Sequence, residues 1–209
     1  MSDKNDIKYL VEIIRKKSPE FLDLMTANNS EDFESAFDTL LGQAVNHLQK
    51  NSKNFKYLDE NGLTAALVGF LRIPGLTVTQ ESHSNGHVDI TIEALYCTPP
   101  RVKLGEAKIY NGPEYHLKGL EQLIGRYSTG NEGRGLLISY VRKKDIAELV
   151  RKIRNVMDSD LPMNQQNNTR DHILKWSFIS IHKHSSGEDL EVGHIGCNLY
   201  IPSLVSQRC

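Results

Sequence analysis

Apolar and polar positions divide the chain into a helical first third and a strand-rich remainder. Residues 5–16, "NDIKYLVEIIRK", place Ile7, Leu10, Val11 and Ile14 at helical spacing. Ser30 reads as an N-cap, with Glu31 and Asp32 in the first turn, where the helix dipole favours acids. Phe33, Phe37, Leu40, Leu41, Ala44 and Leu48 then form an apolar stripe to about residue 50. A third helix fits residues 58–71. The period then falls to two. Residues 76–82 read as a strand, "HSNGH" as an Asn-Gly hairpin turn, and "HVDITIEAL" as a strand with clean alternation. In that strand Val88, Ile90, Ile92 and Ala94 take one face, and His87, Asp89, Thr91 and Glu93 the other. "CTPPR" breaks the run, and "VKLGEAKIY" forms the third strand. A helix follows at about 114–128, then the continuous apolar strand "GLLISYV", typical of a central position. Residues 143–157 predict a basic amphipathic helix, residues 158–171 a polar loop, and "ILKWSFISIHK" and "EVGHIGCNLYI" two last strands.

From residue 58 the predicted order is helix, three strands, helix, strand. A meander followed by a helical crossover makes a mixed sheet with helices packed on it, an α/β fold with a mixed α+β sheet. The length of 209 residues suits one domain. Residues 1–57 form a helical extension, 58–141 the core, and 142–209 a C-terminal helix and strands.

Composition narrows the function classes. The formal net charge is −1, so no global positive field draws nucleic acid or membrane, and a nucleic-acid surface must be a local patch. Cys97, Cys197 and Cys209 lack paired spacing and read as free thiols of a reducing cytosol. The polar start and the absence of a long apolar run predict a cytoplasmic protein without membrane segments.

The charges inside the strand pattern then stand out. Glu106 and Lys108 are two apart in a strand and project to the same side, while Gly105, Ala107 and Ile109 take the other. Pairing as a meander brings Asp89 against Glu106 across the ladder. Two opposed carboxylates repel, and a hard divalent cation resolves the repulsion. An acid-x-lysine alone is also an ordinary solvated ion pair. What points to a site is the ordered set of acid, acid-x-lysine and flanking helices.

That set resembles the PD-(D/E)XK nuclease superfamily, whose restriction-endonuclease-like αβββαβ core would span residues 58–141. Asp89 matches the family's first acid and Glu106-Ala107-Lys108 its acid-x-lysine. Glu60 matches the glutamate of the preceding helix, and Gln122 the glutamine of the following one. Val88 stands where the signature has proline. Gln122 and Tyr127 are five apart, where a related recombination-nuclease pattern has four, so on an α-helix Arg126 rather than Tyr127 shares the Gln122 face.

The resemblance implies Mg²⁺- or Mn²⁺-dependent hydrolysis of DNA phosphodiesters. Asp89, Glu106, the Ala107 carbonyl and Glu60 would be metal ligands, and Lys108 would orient the attacking water. The family's habits extend this to an effector nuclease of bacterial and phage conflict, cutting duplexes as a homo-oligomer. Basic candidates for DNA contact are Lys118, Arg126, Arg142, Lys143 and Lys144, with Arg151, Lys152 and Arg154 beyond. The rival readings are an interaction protein on the same fold, with a partner on the N-terminal helices, and a nuclease of RNA or branched DNA. His182, His184, His194 and Cys197 sketch a weaker zinc site. His83 and His87 flank the hairpin turn, and His87 is near enough in sequence to assist Asp89.

Overall fold

A computed structural model describes residues 6–82, 88–97 and 99–202. The hairpin turn with His83 and His87, and Cys209, lie outside the described residues. The elements are α1 (Ile7–Lys17), α2 (Pro19–Thr26), α3 (Ser30–Lys50), α4 (Glu60–Leu71), β1 (Thr77–Ser82), β2 (Val88–Ala94), β3 (Arg101–Ile109), α5 (Pro113–Gln122), a π-helical turn (Leu123–Tyr127), β4 (Gly135–Val141), α6 (Ile146–Asp160), β5 (Arg170–Asp171), β6 (Ser177–Lys183) and β7 (Asp189–Asn198). From α4 to β4 the order is helix, three strands, helix, strand, as the pattern predicts.

The strands form one seven-stranded mixed sheet in the order β1-β2-β3-β4-β7-β6-β5. β1, β2 and β3 are an antiparallel meander; β3, β4 and β7 run parallel; β7, β6 and β5 are again antiparallel. Apolar side chains of α2, α3 and α4 bury one face, with Phe33, Phe37, Leu63 and Leu67 packed on Ile90, Ala107 and Ile138. Apolar side chains of α5, the π turn and α6 bury the other, with Leu120, Leu123 and Ile153 packed on Leu137 and Val192. The result is three layers, with β4 buried along its whole length, as its unbroken apolar run requires. Among the described residues no helix is long and apolar enough to cross a membrane.

Several local expectations change. Proline at a first helical position starts α2, which the pattern leaves unassigned. Asn29, one residue before Ser30, caps α3 by accepting from Asp32 N–H at 2.8 Å. α6 starts at Ile146 because Asp145 takes a left-handed conformation, which leaves Lys143 and Lys144 in the preceding loop. The polar loop at 158–171 is partly regular. α6 runs to Asp160, Asp158 accepts from Thr169 N–H at 2.7 Å, and β5 pairs with β6. β6 begins at Ser177, after the left-handed Trp176. On β2 the alternation is incomplete. Thr91 is buried like its apolar neighbours, because helices cover both faces, and Val88 packs in the α5–α6 core rather than with Ile90 and Ile92.

Candidate active site

The site forms where β2 and β3 part. Their ladder ends at Ile90–Gly105, and continuing its register by one step sets Asp89 opposite Glu106. Beyond this point carboxylates satisfy the β3 backbone. Ala107 N–H donates to Asp89 Oδ2 at 2.9 Å, and Ile109 N–H donates to Glu60 Oε2 at 2.7 Å. Glu60 is free to reach β3 because Asp59 does the capping of α4, accepting from Gly62 N–H at 2.8 Å. Sequence alone leaves these two acids interchangeable as first-turn charges; the structure divides their work.

Lys108 collects the acids. Its Nζ lies 2.5 Å from Glu106 Oε1, 3.4 Å from Glu60 Oε1 and 3.8 Å from Asp89 Oδ2. Three carboxylates, delivered by α4, β2 and β3, thus converge on one ammonium. α5 closes over Glu106 and Lys108 at Gly119. A Cβ there would meet Leu137 Cδ1 at 2.9 Å, Lys108 Cγ at 3.3 Å and Glu106 Cγ at 3.5 Å, so a larger residue would push the helix off the site.

The charges do not balance. Glu106 is 1% exposed, and its Oε2 is buried with no hydrogen-bond partner among the described residues. Burial outweighs the Lys108 hydrogen bond, and with Asp89 nearby it raises the Glu106 carboxyl to about 7. Burial opposes the charge on Lys108 too, but its hydrogen bond to Glu106 and the charges of Glu106, Asp89 and Glu60 hold the ammonium above its ordinary range. Lys108 is therefore a fixed cation, not a base in waiting.

The acids suit a hard divalent ion in chemistry: all-oxygen donors, an unused buried oxygen on Glu106, and three carboxylate oxygens within 3.8 Å of one nitrogen. Among the described residues no group of three His, Cys, Asp or Glu side chains stands ready to hold a metal. The Lys108 ammonium lies between the acids, so a metal ligated by all three requires that side chain to withdraw.

Gln122 is half-buried at the end of α5, and no hydrogen bond joins it to these acids among the described residues. The π turn that follows revises the helix-face expectation. A π turn closes i→i+5 hydrogen bonds and holds more residues per turn than an α-helix, so it brings Tyr127 closer to the Gln122 side than an α-helix would. Arg126 is exposed and Tyr127 is buried. Burial raises the Tyr127 phenol, and the Glu106 and Asp89 carboxylates raise it further, which places this ring in the field of the site. Only the i→i+5 geometry could have revealed it.

The basic candidates divide. Lys118, Lys143 and Lys144 are exposed. Lys143 Nζ lies 5.6 Å from the Tyr110 ring centroid, at the carboxyl end of β3 where the site opens. Arg142 faces inwards instead, donating to the carbonyls of Phe55 and Leu58. Arg154 is held by Thr169 and Asp171, and Arg151 and Lys152 pair with Glu148.

The histidines do not gather as a zinc site. Alternation along β7 puts Cys197 in the α3–α4 core, away from His194, and His184 turns to Ser186. His182 and His194 instead join a buried chain that runs across the face shared with Glu106 and Lys108. Ser139, paired with Lys108 in the ladder, lies 2.9 Å from His116 Nδ1; His116 Nε2 lies 2.7 Å from His194 Nδ1; Ser180 Oγ bridges His194 and His182; and His182 Nδ1 lies 3.0 Å from the Met163 carbonyl. A carbonyl can only accept, so with neutral rings every donor is fixed: His182 to Met163, Ser180 to His182, His194 to Ser180, His116 to His194, and Ser139 to His116. Burial lowers His116 to about 3 and keeps His182 and His194 below their ordinary value, which favours those neutral rings. Ser139 and His116 escape a motif search because no short spacing joins them.

No protein-family model matches this chain, and no curated protein or solved structure matches it either.

Proposed function

We propose that the chain is a metal-dependent nuclease with a restriction-endonuclease-like core, hydrolysing phosphodiester bonds in DNA. The observation that carries this reading is the convergence of Asp89, Glu106 and Glu60 on Lys108, with a buried Glu106 oxygen left unsatisfied. Asp89, Glu106, Glu60 and the Ala107 carbonyl would hold Mg²⁺ or Mn²⁺. When bound, the metal supplies Lewis-acid activation of the phosphate and of a water. Asp89 and Glu60 are oriented for this by the Ala107 and Ile109 N–H groups. Lys108, kept charged, positions the attacking water and offsets the charge that develops on the phosphate. Gly119 lets α5 wall off one side. Exposed Lys118, Lys143 and Lys144 offer phosphate contacts.

One observation favours a second reading, an interaction protein on the same scaffold. Asp89 and Glu60 also do structural work, accepting β3 N–H groups that have lost their ladder partner. Incubation of plasmid DNA and of a structured RNA with Mg²⁺ separates the two. The nuclease reading expects cleavage by the wild type that is lost in Asp89→Ala and Lys108→Ala. Equal cleavage by all three proteins overturns the site. No cleavage of either polymer with Mg²⁺ or Mn²⁺ leaves the scaffold reading.

A further inference from the structure

The segment between α3 and α4 is a tight turn with two sides. Phe55 and Leu58 pack against the α3–α4 core, and Arg142 clamps their carbonyls from the end of β4. Leu58 N–H donates to Phe55 O at 3.2 Å and closes the turn. The residues between them, Lys56 and Tyr57, face out. Tyr57 is 89% exposed, although both flanking residues of the turn are anchored. The Lys56 ammonium lies 5.1 Å from the Tyr57 ring centroid, so it attends the aromatic ring. Lys53 is exposed on the same turn.

Position gives this feature meaning. Tyr57 precedes Glu60 by three residues, a chain reach of no more than roughly 11 Å. A stacked strand rises about 3.4 Å per nucleotide along its axis, so Tyr57 stands within a few nucleotides of a phosphate held at Glu60 and Lys108. Beside it, Lys56 and Arg142 line a cavity of about 270 Å³ with Phe55, Leu199 and Ile201. Lys143 and Lys144 follow directly from Arg142. An exposed aromatic ring among lysines is the stacking platform used for unpaired bases.

We propose that Tyr57 stacks on an unpaired nucleobase, and that the substrate presents a single-stranded stretch a few nucleotides from the cut. This rests on the nuclease reading above, and it names the form of nucleic acid that the site accepts. Duplex bases stay stacked on one another and offer Tyr57 no face, so its contribution is confined to single strands.

Fluorescence anisotropy in EDTA, where no hydrolysis occurs, tests this with three labelled probes: a 12-mer DNA strand, the same sequence as RNA, and a blunt duplex of two annealed strands. Tyr57→Ala is expected to weaken single-strand binding about tenfold, the order that base–aromatic stacking supplies, and to leave duplex binding unchanged. Tyr57→Trp is expected to restore it. A loss on the DNA strand alone, or on the RNA alone, assigns the source of the base and upholds the proposal. Unchanged single-strand affinity in Tyr57→Ala, or an equal loss on single strand and duplex, overturns it. Mg²⁺-dependent cleavage of the same probes keeps the two claims apart. If the wild type cleaves, Lys108→Ala does not, and Tyr57→Ala binds normally, the stacking fails and the active site stands. If the wild type neither binds nor cleaves any probe, both fail.

Discussion

β3 carries two lysines five residues apart, and they meet opposite circumstances. Lys103 is 1% exposed and sits under α3, its ammonium 2.6 Å from both oxygens of Glu34. Around that pair, Arg134 reaches Asp38 at 3.0 Å and Glu191 at 3.1 Å, and Arg170 pairs with Glu191, so three acids meet three bases. Lys108 lies on the other face of the strand and near its other end, with three acids to one base among the described residues. Burial alone therefore does not mark a site. Lys103 is the more buried of the two, and its surroundings read as structure. An excess of one charge, held in place by backbone donors and a close-packed glycine, marks the site instead.

The largest expected effects separate the two ends. Asp89→Ala or Lys108→Ala should lower Mg²⁺-dependent cleavage by at least about 10³-fold, because one removes a ligand and the other the ammonium at the centre of the acids. Asp89→Ala strands the Ala107 N–H and Lys108→Ala strands Glu106, which takes up a proton instead, so their stability losses should stay at about 1–3 kcal/mol. Lys103→Ala should do the reverse: leaving Glu34 uncompensated costs about 3–5 kcal/mol of stability, read by urea unfolding, while the folded fraction keeps its turnover. Comparable stability losses at both ends would erase the distinction.

The next prediction replaces both partners. Lys103→Met with Glu34→Leu removes a matched pair and should be neutral or stabilising by roughly 1–4 kcal/mol. A loss comparable to that of Lys103→Ala alone would show that the Glu34 cluster is more than a balanced pair.

The histidine chain sharpens the comparison, since it shares a face with Lys108 yet leaves no donor unused. Its rings are bases whose protonation is disfavoured in the fold. The unfolded chain takes up protons below about pH 6.5 while the folded chain resists them. Stability is therefore full above 6.5 and falls with acid, by up to about 1.4 kcal/mol per pH unit for each ring. Thermal melts at pH 7.5, 6.5 and 5 should show a fall that begins below about 6.5. A flat profile would contradict buried neutral rings.

The smallest effect concerns Glu106. Its carboxyl titrates near 7, and a metal must displace that proton. Metal affinity should therefore fall by roughly tenfold per pH unit below 7 and level off above it.

The charged letters were legible in the sequence because they interrupt apolar strands. Asp89, Glu106, Lys108 and Glu60 stand together as the spacing and order imply. What stayed hidden depended on geometry that no local pattern carries. The five-residue step to Tyr127 reads as off-face on an α-helix and moves back towards that face on a π turn. Arg142 reads as a surface cation in a basic run, but two carbonyls 84 and 87 residues away claim it. Nothing local marks Lys103 as buried, because its partner lies 69 residues earlier on α3. The histidines suggested a zinc site by spacing, but strand alternation sends Cys197 to the opposite face.

We propose that the excess of carboxylates around Lys108 holds a divalent cation. Calorimetric titration of the metal-free protein with Mn²⁺ at pH 8 tests it directly. The account predicts saturable binding that disappears in Asp89→Ala and persists in the Lys103→Met, Glu34→Leu double variant. Absence of binding in the wild type, or binding that survives Asp89→Ala unchanged, would contradict it.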